Sequence, residues 1–124
     1  MKKFVGDINI FLNALGEKQG SNLILKAISI VATDFEVEYF ECDNIQHTYF
    51  HFFKRYNNEY YEYPFLEQLF LELDNKFTQN DLIVKFGKPE AYSDNWIRYS
   101  INNKYVHFEF NELKELSQIT LFIK

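Results

Sequence analysis

Three histidines, one cysteine and two close pairs of carboxylates are the side chains of this 124-residue chain that could act on a substrate or hold a metal. His47 and His51 stand four apart in a stretch that reads as a strand. Strand rise separates them by roughly 13 Å, too far to share one ion as neighbours. No His-x-His, cysteine pair or acidic ligand loop accompanies them or His107, so no metal ligand is assigned. Cys42 would need a positioned base to act as a nucleophile, and no motif around it supplies one. Glu36 with Glu38, and Glu109 with Glu112, have the chemistry for acid–base work, but at strand and turn spacing they read as solvated acids. Gly16 and Gly20 are isolated, and Gly87-Lys88-Pro89 is a helix stop, so no loop cradles a phosphate. The expectation is a chain with no catalytic residue and no cofactor: not an enzyme, but a binding protein.

Two sets of residues suit binding. If Thr48, Phe50 and Phe52 face a core, strand alternation turns His47, Tyr49, His51 and Phe53 the other way. The same phase turns Glu36, Glu38 and Phe40 outward on a neighbouring strand, and His107 and Glu109 further along. Aromatic side chains mixed with His and Glu are the composition of an interaction face rather than of a merely wetted one. The second set lies in residues 54–77, where Tyr56, Tyr60, Tyr61 and Tyr63 alternate with Asn57, Asn58, Glu59 and Glu62. Tyrosine offers large contact area with few rotors. Glu36, Glu38, Glu59, Glu62 and Glu109 would steer a basic partner. Tyr49, Tyr56, Tyr60 and Tyr61 would anchor it, with His51 on the same face.

Composition narrows the partner. The chain carries 18 acidic against 13 basic residues, a net charge of −5. Residues 1–62 hold six Lys/Arg against nine Asp/Glu, and residues 63–124 hold seven against nine. No basic footprint for nucleic acid is present. An acidic surface attracts basic proteins instead. Fourteen Phe and nine Tyr supply ample burial. No apolar run reaches the roughly 18 residues that span a bilayer, so no membrane partner is expected. The start, Met1-Lys2-Lys3, is followed by Asp7 and Asn9 where a signal peptide would be apolar, and one cysteine suits a reducing compartment. Both predict a cytoplasmic protein.

The elements that must position these residues are punctuated clearly. Thr78 is a helix N-cap with Asp81 as its capping-box partner, and Phe77 and Leu82 have staple spacing. Leu82, Ile83 and Phe86 form one face, Gly87 the stop and Pro89 the barrier. Strands follow at Trp96–Ile101, Tyr105–Phe110 and Ser117–Ile123, with a tight turn at Asn102-Asn103. Val106, Phe108 and Phe110 face inward on one strand, and Ile119, Leu121 and Ile123 on the last. Shifted by 71 positions, the chain repeats this punctuation in fainter form. Phe11–Gly16 lies over Leu82–Gly87, Phe35–Tyr39 over Val106–Phe110, and Thr48–Phe52 over Ile119–Ile123. Asp7 would cap the first helix, with Phe11 and Leu15 inward and Gly16 as stop. Strands are expected at Phe35–Glu41 and His47–Phe53. Leu23–Val31, ahead of them, is read as the first strand of that unit, although its Leu25-Lys26-Ala27-Ile28 centre also suits a helix. In the connector, Phe65, Leu66, Leu69, Phe70 and Leu73 have helical spacing after Pro64, while Leu69, Leu71 and Leu73 also alternate as a strand would. The expected fold is α+β: one domain over 1–124, with an antiparallel sheet built from two αβββ repeats (7–53 and 78–124), a connector (54–77), and helices on one face.

The segment Phe77-Thr78-Gln79-Asn80-Asp81-Leu82-Ile83-Val84-Lys85-Phe86-Gly87-Lys88-Pro89, with Trp96-Ile97-Arg98-Tyr99 and Val106-His107-Phe108-Glu109-Phe110 after it, resembles a known module. It is similar to the small α/β repeats of bacterial outer-membrane-assembly lipoproteins and of the tandem-repeat β-lactamase-inhibitor proteins. Size, acidity, aromatic content and the closing run Leu116-Ser117-Gln118-Ile119-Thr120-Leu121-Phe122 also make the chain resemble immunity proteins of contact-dependent growth inhibition and other polymorphic toxin systems. The resemblance implies a cytosolic inhibitor that binds one toxin domain and blocks it. The alternative is an assembly adaptor or homodimeric interaction module with no toxin partner.

Overall fold

A computed structural model describes residues 4–17, 20–30, 35–42, 45–52, 54–56, 59–61, 69–73 and 76–123. Among them stand three helices: α1 (Ile8–Ala14), α2 (Asn22–Ile30) and α3 (Gln79–Phe86). Eight strands complete the described elements: β1 (Phe35–Cys42), β2 (Ile45–Phe52), β3 (Lys54–Tyr56), β4 (Glu59–Tyr61), β5 (Ala91–Ser93), β6 (Trp96–Ile101), β7 (Lys104–Phe110) and β8 (Leu116–Ile123). The fold is α+β, with a six-stranded sheet in the order β1-β2-β8-β7-β6-β5, every pair antiparallel. β3 and β4 pair as a separate hairpin. No helix among the described residues is long and apolar enough to cross a membrane.

The expected punctuation of α3 is realised. The Asp81 N–H donates to Thr78 Oγ1 at 3.2 Å and the Thr78 N–H donates to Asp81 Oδ2 at 2.9 Å, a closed capping box. Leu82 and Phe86 are buried, and the Gly87 N–H closes the last turn on the Ile83 carbonyl at φ +92°. The end of the helix is tied to the sheet by the Tyr99 hydroxyl, which donates to the Gly87 carbonyl at 2.7 Å. Asn102 and Asn103 take φ +48° and +68°, the mirror-image turn that suits the twist of a two-residue hairpin between β6 and β7.

α1 departs from its expected start. Asp7 occupies the N-cap position but has helical dihedrals, and its side chain makes no cap hydrogen bond. The end of α1 is as expected, with Gly16 at φ +87°. Gly16 also lies so close to β8 that a Cβ there would stand 2.7 Å from Ile123 Cδ1. From the β6–β7 hairpin, Lys104 Nζ donates to the Leu12 carbonyl in the last turn of α1, where a cation suits the helix dipole. Burial lowers the pKa of this lysine, and Glu17 opposes the shift.

The stretch read as the first strand of the first unit, with a helix as its alternative, is α2. Its buried residues, Ile24 and Ala27, are three apart, while Leu23, Leu25 and Ile28 are exposed. That period belongs to a helix, not to strand alternation. Ser21 starts it: its carbonyl accepts the Leu25 N–H at 2.9 Å and its Oγ accepts the Ile24 N–H at 3.3 Å. The first half therefore reads ααββ where αβββ was expected. In the connector, Leu69, Phe70 and Leu73 are buried while Leu71 is 56 % exposed, the helical alternative of the two spacings. Pro64, Phe65 and Leu66 lie outside the described residues.

One core holds the elements together. Val106 and Phe108 of β7, Ile97 and Tyr99 of β6, and Ile119 and Leu121 of β8 form its sheet side. Ile8, Phe11, Leu12, Ile24, Ala27, Leu82 and Phe86 bring all three helices to that same side. Phe4, Phe70, Phe86, Tyr99 and Phe108 interlock with ring centroids 4.8–6.0 Å apart, mostly edge to face. Each such pair adds about 0.5–1.5 kcal/mol beyond area burial. Chain start, connector and α3 are thus fastened to one aromatic knot on one face of the sheet.

Candidate protein-binding face

The residues that alternate away from the core on β6, β7 and β8 are Trp96, Arg98, Ser100, Tyr105, His107, Glu109, Gln118, Thr120 and Phe122. All are half-buried except Thr120, which is 7 % exposed and hence buried. Strand pairing sets their order: His107 lies between Arg98 and Thr120, and Tyr105 between Ser100 and Phe122. The rings then meet. Tyr105 and Phe122 are 5.1 Å apart, Trp96 and His107 5.2 Å, and His107 and Phe122 6.4 Å. The Arg98 guanidinium lies 4.4 Å from the Tyr105 ring centre and 5.9 Å from that of Trp96, while its Nε donates to Glu90 Oε2 at 3.3 Å. A cation held between two rings and a carboxylate is a preorganised contact surface, since little rotamer freedom is left to lose on binding.

His107 has a defined state in this network. Burial holds its pKa below the ordinary histidine value and the Arg98 charge adds to that, while the Glu109 carboxylate opposes both. Nε2 lies 3.2 Å from Glu109 Oε1. A carboxylate only accepts, so in the neutral ring Nε2 carries the proton. Nδ1 is then a bare acceptor, buried and without a hydrogen-bond partner among the described residues.

The structure distributes the expected binding residues over two places. Glu36 and Glu38 lie on β1, opposite His51 and Tyr49 of β2. His51 in turn lies opposite Thr120, and Thr120 opposite His107. One register row therefore runs Glu36, His51, Thr120, His107, Arg98 across five strands. Glu109 is on the adjoining part of β7, opposite Trp96 and Gln118. Tyr56, Glu59, Tyr60 and Tyr61 belong to the β3–β4 hairpin, with Tyr56 opposite Glu59 and Arg55 opposite Tyr60. Glu62, with Phe53, Asn57, Asn58 and Tyr63, lies outside the described residues. Trp96, Arg98, Tyr105 and Phe122 were not among the expected binders, although the alternation that singled out His107 and Glu109 also pointed to them.

Charge is less evenly spread than its division between halves suggests. Residues 34–43 contain Asp34, Glu36, Glu38, Glu41 and Asp43 and no basic residue. Those five equal the whole net charge of −5, and the rest of the chain balances thirteen acids with thirteen bases. β1 lies inside this stretch and forms one end of the six-stranded sheet.

Elsewhere, an open groove of about 430 Å³ is lined by Glu72, Phe77, Asp81, Val84 and Lys85. Among the described residues no group of three His, Cys, Asp or Glu side chains is arranged to hold a metal ion. Comparison of the chain with protein-family models, with curated proteins and with solved structures finds no match.

Proposed function

We propose that this chain is a non-catalytic protein-binding module, an immunity-type inhibitor that occludes a basic domain of a bacterial toxin in the cytoplasm. The observation that carries the reading is the sheet face opposite the core, where Trp96, Arg98, Tyr105, His107 and Phe122 form a fixed aromatic and cationic network beside an acidic sheet end. Aromatic anchors close to a charged rim are what a tight interface needs, and about 1,600 Å² of total buried area suffices when several anchors are well packed. Acidic residues around β1 and Glu109 favour encounter with a basic surface. Occlusion then needs no chemistry from this chain.

The sheet also supports descent from two related units. Phe50 and Leu121, which a 71-residue shift superposes, lie directly opposite each other where β2 meets β8. Equivalent residues of two copies meet in this way at a twofold axis. The halves differ where the first has α2 and the second has β5 and β6, and also in hairpin register: Phe35 pairs with Phe52, whereas Val106, its equivalent, pairs with Leu121 rather than Ile123.

Co-expression with the product of the neighbouring reading frame, followed by affinity capture, tests the function. A stable complex that disappears on Trp96→Ala with Phe122→Ala supports it. Absence of a complex when both proteins are folded rejects it.

A further inference from the structure

We propose that the outer edge of β1 takes an extended, lysine- or arginine-bearing segment of the partner protein as an added strand. This names the binding mode within the protein-binding reading above and rests on it.

Three observations lead there. First, the described sheet ends in two unequal edges. β5 has three residues, whereas β1 has eight, all in continuous register with β2 and with no bulge. Among the described residues no strand pairs with the other side of β1. Every second residue of such an edge turns its N–H and C=O away from the sheet, leaving roughly four of each for an incoming chain. Second, long edges are usually guarded by charged side chains, lysine above all, by proline or by a bulge, and the charges on β1 are all acidic. Residues 34–43 contain no lysine, proline or glycine. Third, the charge of that stretch selects the occupant. A second copy pairing antiparallel about Val37 would set Glu36 opposite the other Glu38, and pairing about Glu38 would set that residue opposite itself. Both are unfavourable cross-strand pairs. A basic strand meets the same positions as opposite charges.

The register defines the strand that fits. Val37 pairs with Phe50 and thus shares the row that continues through Leu121 and Val106 of the core. Glu36 and Glu38 share the rows of His51 and Tyr49. An added strand therefore matches β1 when apolar residues continue the first set of rows and cations the second, a two-residue alternation. The mode is strand addition, in which backbone hydrogen bonds supply affinity and alternate side chains supply selectivity.

The test uses the full chain and two capped octapeptides, one of alternating lysine and valine and one of alternating glutamate and valine. Amide hydrogen exchange and titration by NMR are read at β1. The lysine peptide is expected to slow exchange at alternate amides of Phe35–Cys42. N-methylation of its alternate amides is expected to weaken it by about tenfold or more. A Glu36→Lys, Glu38→Lys double variant, with folding checked by circular dichroism, is expected to lose the lysine peptide and accept the glutamate peptide. Several outcomes overturn the proposal: binding that leaves β1 exchange unchanged, undiminished binding after N-methylation, or no binding at millimolar peptide. Alternate β1 amides already protected in the free chain would also overturn it, because the edge would then be occupied by the chain itself or, if sedimentation shows a dimer, by a second copy. The partner-capture experiment stands apart from all of these. A toxin complex formed without β1 protection rejects strand addition and keeps the binding reading.

Discussion

Replacing Tyr99 with phenylalanine tests the link between the sheet and the end of α3. The Tyr99 ring is 1 % exposed, packed against Phe4, Phe86 and Phe108, and its hydroxyl donates to the Gly87 carbonyl at 2.7 Å. The variant keeps the ring and deletes that bond. Leaving a carbonyl without its donor costs about 1–3 kcal/mol, and Gly87 is half-buried, so a loss of about 1–2 kcal/mol is expected at pH 7. The same burial pushes the Tyr99 pKa up to about 12 from 10.0. Below pH 10 the hydroxyl is protonated in both folded and unfolded chains. Between 10 and 12 the folded chain binds more protons, so stability falls as pH rises. Each tenfold difference in proton affinity is worth about 1.4 kcal/mol, which makes the loss about 2.7 kcal/mol once the folded group has ionised. By pH 11 roughly half of that, about 1.4 kcal/mol, is lost from the wild type and not from the variant. Urea unfolding at pH 7, 9, 10 and 11, followed by circular dichroism, should show Tyr99→Phe less stable at pH 7 and nearly level at pH 11. Taking the difference between the two proteins at each pH removes the contribution of Lys104 and the other lysines. A gap of the same size at pH 7 and pH 11 would refute the buried hydroxyl.

Gly16→Ala should lower unfolding free energy by more than about 1 kcal/mol, because alanine disfavours φ +87°. Adding Ile123→Val removes the crowding atom and should recover only part of the loss, as read from urea midpoints. Thr78→Ala opens the capping box of α3 and should cost about 1 kcal/mol by the same measurement. His107 has its folded pKa lowered, so its contribution to stability is complete above the ordinary value of about 6.5 and is lost as pH falls towards the folded pKa. Titration of its ring protons by NMR should give a midpoint below that value, and His107→Phe should flatten acid destabilisation in that window. With a captured partner in hand, reversing Glu36 and Glu38 should slow association more than it speeds dissociation, as measured by stopped flow at low salt. An unchanged association rate would remove electrostatic steering from the mechanism.

Local chemistry decided which parts of this fold were legible in the sequence. Thr78, Asp81, Gly87 and Pro89 each act within a few residues of themselves, and the helix they bound is where they place it. The alternation of Val106, Phe108 and Phe110 needs only a half-buried sheet to be read correctly. α2 was ambiguous because Leu23, Ile24, Leu25, Ala27 and Ile28 are apolar all round, so neither period dominates. Its true face, Ile24 and Ala27, is set by the core it meets. Asp7 has the right type for a cap but enters the helix already in helical geometry, so its carboxylate has no N–H to accept. The row from Glu36 through His51 and Thr120 to His107 was beyond local reading altogether. It exists because β2 pairs with β8, a contact across about 70 residues of chain that no residue near either strand announces.

The same pairing separates the acidic stretch from the main aromatic packing. Joining two hairpins through β2 and β8 buries Phe50 and Leu121 at the centre and leaves β1 at a far end of the sheet. The aromatic knot of Phe4, Phe70, Phe86, Tyr99 and Phe108 lies on the β6–β7 half, and the net charge lies wholly in the stretch that contains β1. Glu36, Glu38 and Glu41 on β1 are the acids of that stretch that the sheet places away from β6 and β7. Concentrating them on an edge strand makes them discourage pairing with an identical acidic edge, while giving a basic strand a reason to approach. A uniformly acidic surface would provide solubility without that selectivity. In this chain, Glu36, Glu38 and Glu41 stand on β1, and under the strand-addition proposal the selectivity would follow from where the sheet puts them.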